Sequence, residues 1–523
     1  MSQVLENAAI ALMPAATEFA AAYQDGRPQV VWTRLVADLE TPVSAYMKLV
    51  RDRAPSFLLE SIEGGESRGR YSIIGLAPDI IWRAEGEKAW INRSPQSGPD
   101  AFEACAAPTL KALRDLLAES TIDLPDDLPP MAAGVFGYMG FDAVRLVEHL
   151  LDDRERAIDV PDALMIRPTL IVIFDTVKDE LTIVTPVRGQ AGITAADAYE
   201  NARARLAGAV RALERPSTLA PAASSANDLE APEPRSNTTP AEYMAMVQRA
   251  KDYITAGDAF QIVLSQRFTT PFTLPPFALY RALRRTNPSP FLFYLEFGDF
   301  ALVGSSPEIL VRVRDGEVTI RPIAGTARRG ATRAEDEALA EALLADPKER
   351  AEHLMLLDLG RNDVGRVAEI GSVSVTEQYV IERYSHVMHI VSNVIGRLDQ
   401  SHDAIDALMA GFPAGTVSGA PKVRAREIID DLEKDKRGPY AGCVGYFSAC
   451  GHMDTCIVLR TALVKDGEMH VQAGAGIVYD SIPENEQQEC INKAKALVRA
   501  AEEAVRFAGG SLPNAGGNRG EFA

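Results

Sequence analysis

Short runs in which apolar and polar residues alternate recur along the chain and predict antiparallel hairpins. The run LIVIFDTVKDELTIVTPV, residues 170–187, places a polar turn at Lys178 and Asp179 between two strand-like segments. A second hairpin is predicted in LVRVRDGEVTIRPI, where Asp315 and Gly316 occupy the turn. Further strand-like runs surround positions 262, 293, 444 and 471.

Helix-start signals interrupt these strands. Thr239, Pro240 and Glu242 supply an N-cap, a first-turn proline and a capping-box partner, and apolar residues then recur at helical spacing as far as Gly257. A similar start signal follows Asp346. Hairpins mixed with helices, without strict alternation of strand and helix, favour an α+β fold with large antiparallel sheets.

A shift in composition divides the chain. Residues 214–237 are rich in Pro, Ala and Ser and lack hydrophobic periodicity, which predicts a linker or loop. Residues 509–523 contain repeated Gly and Asn and are predicted to form a disordered tail. The predicted domains are therefore 28–213 and 238–508, and the pattern leaves open whether they interdigitate.

Composition excludes several classes of protein. The chain has 523 residues, of which 46% are hydrophobic, and its net charge is −19, as expected for a soluble globular protein. It contains no apolar run long enough to span a membrane and no basic run suited to nucleic acid or anionic lipid. Five cysteines without a CxxC pair, and an N-terminus without a signal pattern, predict a cytoplasmic protein.

Two pairs of glutamates, each spaced by three residues, are the first candidates for chemistry. Glu349 and Glu352 begin one predicted helix, and Glu486 and Glu489 begin the last long helix. Each pair lies on one helical face, and two facing pairs would form an oxygen-rich site suited to Mg²⁺. Acidic first turns also complement the helix dipole, and spacing alone favours that more ordinary role.

The segment before the last helix, QAGAGIVYDSIPENEQQE (472–489), predicts a strand, a glycine-rich turn and a helix. Gly474 and Gly476 would let the backbone approach an anion, although a plain tight turn is the alternative. Lys493 follows Glu489 by four residues, so it could bind a substrate carboxylate or form an ion pair with that glutamate.

Two more segments are rich in Gly, Pro and hydroxyl residues. RPIAGT (321–326) follows a predicted strand, and FPAGTVSGAPK (412–422) lies between two predicted helices. Both are predicted to be loops that present backbone N–H and hydroxyl groups, and ordinary turns are the alternative.

Taken together, these segments resemble the chorismate-utilising enzymes, and most closely the anthranilate synthase branch of that family. The matching runs are LLES (58–61), GDAFQIVLSQRF, NPSPFLFY, GSSPE, RPIAGTARR, ERAEHLMLLDLGRND, YSHVMHIVS, FPAGTVSGAPK, YAGCVGYF, DTCIVLRTALV and QAGAGIVYDS. They follow the family's order and cover most of the second half, whereas the first half matches more thinly. The resemblance implies an α+β fold in which large antiparallel β-sheets form a sandwich with helices packed outside.

The resemblance also implies an activity. The family branch is a lyase that converts chorismate and ammonia to anthranilate and pyruvate with Mg²⁺, in the first committed step of tryptophan biosynthesis. A partner glutamine amidotransferase supplies the ammonia within a hetero-oligomer such as a heterotetramer, and tryptophan is a feedback inhibitor. Two alternatives remain: an aminodeoxyisochorismate synthase that lacks the lyase step, and a non-catalytic, tryptophan-binding regulatory subunit.

Roles for individual residues follow from the resemblance. Glu308 matches the general acid at the leaving C4 hydroxyl of chorismate, and His389 matches a histidine near the same group. The implied metal ligands are Glu352 and Glu489, supported directly or through waters by Glu349 and Glu486. The implied substrate contacts are Gln261, Thr326, Thr416, Tyr440, Arg460, Gly474, Ala475, Gly476 and Lys493. The implied tryptophan site consists of Glu60, Ser61, Pro290, Phe291, Leu292, Gly445 and Cys456.

Two positions discriminate within the family. Isochorismate-forming and salicylate-forming members carry a water-activating lysine where this chain has Gln261. Aminodeoxychorismate synthases typically carry a lysine nucleophile where this chain has Ala324, which cannot form a covalent intermediate. Both residues favour attack of ammonia at C2 and formation of 2-amino-2-deoxyisochorismate, but they do not exclude relatives that stop at that intermediate.

Overall fold

The structure is a computed structural model. It describes residues 11–50, 54–63, 67–150, 154–216, 233–384 and 387–508. Most of the predicted linker (217–232) and the whole predicted tail (509–523) lie outside the described residues. In the described part of the chain, no helix is both long and apolar enough to cross a bilayer.

The helices and strands are numbered in chain order. The α-helices are α1 (Ala16–Gln24), α2 (Pro42–Val50), α3 (Thr109–Glu119), α4 (Ala195–Leu213), α5 (Pro240–Ala256), α6 (Pro276–Thr286), α7 (Arg333–Ala345), α8 (Pro347–Gly365), α9 (Ala404–Gly411), α10 (Gly415–Ser418), α11 (Lys422–Leu432) and α12 (Pro483–Ala508). The strands are β1 (Gln29–Val36), β2 (Ser56–Glu63), β3 (Ser67–Glu85), β4 (Lys88–Asn92), β5 (Glu103–Ala104), β6 (Gly134–Met139), β7 (Ala163–Asp175), β8 (Glu180–Val187), β9 (Arg235–Ser236), β10 (Gln261–Pro271), β11 (Phe291–Glu296), β12 (Phe300–Ser306), β13 (Ile309–Arg314), β14 (Glu317–Ile320), β15 (Ile323–Arg328), β16 (Ser374–Arg383), β17 (Val387–Arg397), β18 (Gly419–Ala420), β19 (Cys443–Ser448), β20 (Met453–Ile457), β21 (Thr461–Lys465) and β22 (Glu468–Ile477).

Two antiparallel sheets share the long strands β3 and β7. The first sheet runs β1-β8-β7-β3-β2-β11-β12-β21-β22-β10, with β9 and β18 both paired to β10. The second runs β5-β4-β3-β7-β6-β19-β20-β13-β14-β17, with β15 and β16 on either side of the end of β17. The register of β3 on β7 shifts between Pro78 and Ile80, which is where the long strands pass from one sheet to the other.

The sheets pack face to face, which confirms the predicted sandwich. Phe57 of β2 stacks on Phe136 of β6 with 4.6 Å between ring centroids, and both rings are buried. Helices cover the outer faces, where Leu264 of β10 and Leu497 of α12 belong to one continuous apolar core. Burial of this apolar surface is the main force that holds the layers together.

The two halves of the sequence contribute neighbouring strands to both sheets. In the first sheet β2 pairs with β11, and in the second sheet β6 pairs with β19. The halves therefore interdigitate, which the sequence pattern left open. The boundaries 28–213 and 238–508 stay a prediction.

Several local predictions are confirmed. Asp315 and Gly316 both have positive φ (51° and 75°) in the turn between β13 and β14, as a tight hairpin requires. Thr239 forms the predicted capping box at the start of α5, and Gly257 ends that helix at φ 88°. The side chain of Asp346 accepts hydrogen bonds from the first backbone N–H groups of α8.

Two predicted loops are strands. Gly474 and Gly476 lie inside β22, because β22 remains paired with β10 as far as Ile477. Residues 323–328 form β15, which pairs with β17. In both cases a neighbouring strand supplies backbone hydrogen-bond partners that the local sequence does not reveal. Residues 412–422 fit the loop prediction better, although they include the short helix α10 and the two-residue strand β18.

Candidate functional site

A cavity of about 610 Å³ collects almost all of the predicted catalytic, metal and substrate residues. Those that line it are Gln261, Glu308, Thr326, Glu349, Glu352, His389, Thr416, Tyr440, Arg460, Gly474, Gly476, Glu486, Glu489 and Lys493. Ala475 is the exception, because neighbours on a strand alternate between faces and its side chain is buried in the core on the other face of β22.

Glu308 follows β12 and is buried at the cavity wall. Burial raises the pKa of its carboxyl to about 8, while the Thr416 hydroxyl and the Ile323 backbone N–H lower it in part. Burial disfavours the charged form because the protein interior solvates a carboxylate poorly. Glu308 is therefore mainly protonated at neutral pH and is able to donate a proton to a bound molecule.

His389 lies on β17 with its Nδ1 3.1 Å from the Gly325 carbonyl oxygen and 3.0 Å from Thr326 Oγ1. A carbonyl only accepts hydrogen bonds, so Nδ1 carries the hydrogen. Burial lowers the pKa of His389, the Gly325 carbonyl raises it in part, and the nearby Arg460 lowers it further. The lowered pKa favours the neutral ring, in which Nε2 is a hydrogen-bond acceptor.

Arg460 lies between β20 and β21 with φ 47°, a conformation that is unusual for a residue other than glycine. Burial lowers the pKa of its guanidinium, and the Tyr384 phenol partly offsets this effect. No carboxylate within the described ranges forms an ion pair with it. A partly buried guanidinium that lacks a carboxylate partner among the described residues is costly, so this position favours an anionic ligand.

The two glutamate pairs line the same cavity and lie in the first two turns of α8 and α12. Burial raises the pKa of Glu352, and the charges of Glu349, Glu489 and Glu486 raise it further. The four carboxylates are thus close enough to repel one another. Mutual repulsion of this kind is relieved when a cation binds.

Two of these carboxylates, those of Glu489 and Glu352, are held in place by donors of the chain itself. Lys493 Nζ lies 2.7 Å from Glu489 Oε1 and 2.8 Å from the Gly474 carbonyl oxygen. Gln261 Nε2 donates to Glu352 Oε1 at 3.0 Å. Within the described residues, no three acidic, His or Cys side chains converge closely enough to chelate a metal directly. A set of ligands made up of carboxylate oxygens suits Mg²⁺ bound partly through water, because Mg²⁺ keeps several waters when it binds to protein.

Glycine is required at two positions of the cavity wall. A Cβ atom at Gly476 would lie 2.7 Å from Gln261 Nε2. A Cβ atom at Gly474 would lie 2.7 Å from the Leu264 carbonyl oxygen and 3.0 Å from the Tyr440 hydroxyl oxygen. The wall therefore has no room for a larger residue, which keeps the space above β22 open to a ligand.

Two residues near the site were not predicted. Lys348 lines the cavity and pairs at 3.4 Å with Asp480, which links the start of α8 to the turn before α12. Lys348 could have been predicted to lie near the site, because it is adjacent to Glu349 in the first turn of a predicted helix. The ring of Tyr384 packs against His389 with 5.5 Å between centroids. No spacing in the sequence indicates that contact, because it depends on the pairing of β16 with β17.

A second cavity, of about 330 Å³, lies between the two sheets. Its lining includes six of the seven residues predicted to bind tryptophan: Glu60, Ser61, Phe291, Leu292, Gly445 and Cys456. Pro290 precedes β11 and is outside the lining. Strand register explains the convergence, since Ser61 and Glu60 pair directly with Phe291 and Leu292.

The side chain of Glu60 points away from this cavity. Its carboxylate accepts hydrogen bonds from Arg284 Nε at 2.6 Å and Nη2 at 3.0 Å, and from the Tyr280 hydroxyl at 2.5 Å. Both partners belong to α6, on the helix-covered face of the sheet. Glu60 therefore couples the strand that borders the second cavity to α6, which itself packs against α12.

Comparison with known proteins identifies the family. A family model described as chorismate binding enzyme matches residues 55–499. An anthranilate synthase component 1 from Cereibacter sphaeroides is 56% identical over 491 residues, which cover 94% of this chain and 98% of that relative. Another, from Pseudomonas putida, is 48% identical over 478 residues, which cover 89% of this chain and 93% of that relative.

A solved structure supports the same assignment. The crystal structure of anthranilate synthase component I from Streptococcus pneumoniae is 38% identical with a TM-score of 0.72, and the match covers 89% of this chain and 99% of that chain. The chain therefore belongs to the chorismate binding enzyme family, within the group of anthranilate synthase component 1 proteins.

Proposed function

We propose that this chain converts chorismate and ammonia to anthranilate, pyruvate and water, as the chorismate-using subunit of an anthranilate synthase. The proposal rests on the residues that line the larger cavity. A protonated Glu308, four carboxylates, and an Arg460 without a carboxylate partner among the described residues all face one space. Chorismate has two carboxylates and a leaving hydroxyl. The cavity offers a chemically matched partner for each of these groups.

Arg460 binds the carboxylate of the enolpyruvyl side chain, because its planar fork pairs bidentately with a carboxylate. The glycine wall at Gly474 and Gly476 leaves space for the side chain beside Tyr440. Glu352 and Glu489, supported by Glu349 and Glu486, would hold Mg²⁺, and a bound Mg²⁺ would supply positive charge for the ring carboxylate of chorismate.

Glu308 and His389 act on the C4 hydroxyl in two different roles, as proton donor and as hydrogen-bond acceptor. His389 Nε2 accepts a hydrogen bond from the C4 hydroxyl, which keeps its hydrogen and directs an oxygen lone pair toward Glu308. Glu308 then donates its proton as the C4–O bond breaks, and the hydroxyl departs as water. A buried acid with a pKa of about 8 is mainly protonated at neutral pH and keeps a protonated fraction in mildly alkaline solution, as this step requires.

Ammonia forms the new bond at C2 while the ring double bonds shift toward C4. Gln261 Oε1 is buried and has no hydrogen-bond partner among the described residues, so it is available to accept an N–H of the attacking ammonia. The product of this step is 2-amino-2-deoxyisochorismate. Loss of the C2 proton and cleavage of the C3–O bond then release pyruvate and leave the aromatic ring of anthranilate.

The proposal extends to supply and control of the reaction. A partner glutamine amidotransferase supplies ammonia in a hetero-oligomer. Tryptophan binds in the second cavity, where Ser61, Phe291 and Cys456 lie between the sheets, and inhibits the enzyme. The five free cysteines suit a reducing cytoplasm, which is where the reaction is expected.

The decisive experiment incubates the purified chain with chorismate, ammonium ions and Mg²⁺ at alkaline pH and records anthranilate fluorescence, with and without EDTA and tryptophan. The expected result is a signal that EDTA abolishes and tryptophan reduces. Consumption of chorismate without pyruvate release would indicate the aminodeoxyisochorismate alternative. If chorismate were not consumed at all, the proposed catalysis would be wrong, and a silent regulatory subunit would take its place.

A further inference from the structure

A buried ion pair lies directly behind the larger cavity. Glu433, which follows α11, and Arg437 are 6% and 1% exposed. Arg437 donates to both oxygens of Glu433, with Nε at 2.9 Å and Nη2 at 2.5 Å. Glu433 also accepts from the backbone N–H of Ser265 at 2.7 Å and from its hydroxyl at 2.9 Å, so the pair is anchored to β10.

Arg437 reaches three elements of the cavity wall without lining the cavity itself. Its Nη1 donates to the Val417 carbonyl oxygen at 2.7 Å, and its Nη2 donates to the Val263 carbonyl oxygen at 2.7 Å. Its guanidinium also lies 5.6 Å from the ring centroid of Tyr440. Val263, Val417 and Tyr440 all line the larger cavity, and they belong to separate segments of the chain.

We infer that Arg437 is a positioning residue for the substrate: its guanidinium sets the spacing of the β10, Val417 and Tyr440 walls and thereby the affinity for chorismate. A planar group with five donors satisfies Glu433 and both carbonyls in one fixed geometry. Lysine has one donor nitrogen and cannot hold all of these acceptors together. The inference rests on the proposed function only in taking chorismate as the ligand.

Arg426 supplies a matched control. It is 2% exposed, forms an ion pair with Asp430 one helical turn away, and lies over the Phe141 ring at 3.7 Å. Arg437 shares each of these features, since it pairs with Glu433 at the same spacing and lies over the same ring at 4.4 Å. The hydrogen bonds of Arg426 are directed elsewhere: its Nη2 donates to Asp142 at 3.1 Å, and its side chain makes no hydrogen bond to a described residue of the cavity wall.

The test compares the parent chain with Arg437→Lys and Arg426→Lys by calorimetric titration of chorismate in the presence of Mg²⁺ and without ammonia. We expect Arg437→Lys to raise the Kd for chorismate at least about tenfold, and Arg426→Lys to change it less than about threefold, because small displacements of a binding wall have large effects. A purely structural role would lower the fraction of binding-competent molecules, and hence the stoichiometry, while leaving Kd unchanged.

A Kd for Arg437→Lys within twofold of the parent, or an equal rise in Arg426→Lys, would overturn the inference. If Arg437→Lys does not fold, Glu433→Gln replaces it in the test. This substitution removes the charge that pairs with Arg437 but keeps atoms that can form hydrogen bonds to it. A rise of at least about threefold in that variant supports the inference, and a smaller one overturns it. Failure of anthranilate formation would refute the proposed reaction separately, because the titration requires no turnover.

Discussion

Replacement of Glu308 by glutamine should make the protein more stable and nearly inactive. The substitution keeps the size of the side chain and removes its ionisable proton. Burial raises the pKa of Glu308 from an ordinary 4.5 to about 8. Each pKa unit corresponds to about 1.4 kcal/mol, so ionisation of Glu308 costs roughly 5 kcal/mol more in the folded protein than in the unfolded chain.

The sign of this effect follows from proton linkage. Below pH 4.5 the carboxyl is neutral in both states, and the parent carries no penalty. As pH rises from there to about 8, the unfolded chain releases the proton and the folded protein retains it, so the parent loses stability with pH. Glutamine does not titrate. The stability of Glu308→Gln relative to the parent should therefore rise from about 1 kcal/mol at pH 5 to about 3 at pH 7 and nearly 5 at pH 9.

The assay is urea unfolding of the parent and of Glu308→Gln at these three pH values, with chorismate turnover measured in parallel. Turnover should fall by about 10²–10⁴-fold, the usual contribution of a general acid. Glu341→Gln is a suitable control, because it makes the same chemical change at an exposed position on α7. A difference for Glu308→Gln that does not depend on pH would refute the reasoning about burial. Turnover equal to that of the parent would refute the general-acid role.

Three further predictions test the other parts of the molecule. Glu352→Gln removes one of the four repelling charges and should raise the Mg²⁺ concentration for half-maximal turnover about 10-fold or more, and an unchanged Mg²⁺ titration would contradict the metal site. Gly476→Ala places a Cβ atom 2.7 Å from Gln261 Nε2 and should lower kcat/KM for chorismate about tenfold, while its thermal unfolding measures any loss of folded protein. Glu60→Gln leaves Arg284 without its counter-charge, so it should lower the free energy of unfolding by about 3 kcal/mol in a urea experiment and weaken inhibition by tryptophan. An unfolding midpoint equal to that of the parent would show that the Glu60 contact to α6 contributes nothing.

Local structure was the most predictable part of the fold. The hairpin at Asp315 and Gly316 follows from residues that tolerate positive φ, and the start of α5 follows from a capping box at Thr239. In these cases the partners of each backbone group lie within a few residues. The predicted turn at Gly474 is wrong, because Gly474 belongs to a strand whose pairing partner is β10. That strand lies about two hundred residues earlier in the chain, so the local sequence gives no sign of the pairing.

The residues of the candidate site could be predicted from the sequence, but their burial and their contacts with one another could not. The resemblance indicated Glu308 and His389, yet only the packing of the strands buries Glu308 beside Thr416 and raises the pKa of its carboxyl. The same limit applies to Glu60. The resemblance predicted Glu60 as part of a tryptophan site, and Glu60 does border the second cavity, but the pairing of its carboxylate with Arg284 on α6 could not be predicted from the sequence.

Elements whose physics is local, such as caps, turns and the spacing of glutamates on a helical face, can be derived from the residues in order along the chain. The convergence of distant segments cannot, because it depends on strand register and on which sheet face each residue occupies. Arg437 illustrates the difference. Nothing near it in the sequence marks it as more than a charged residue after a helix. Sheet packing buries it and aligns its donors with the carbonyls of Val263 and Val417, and the enclosed interior makes those hydrogen bonds strong enough to hold a binding wall in place.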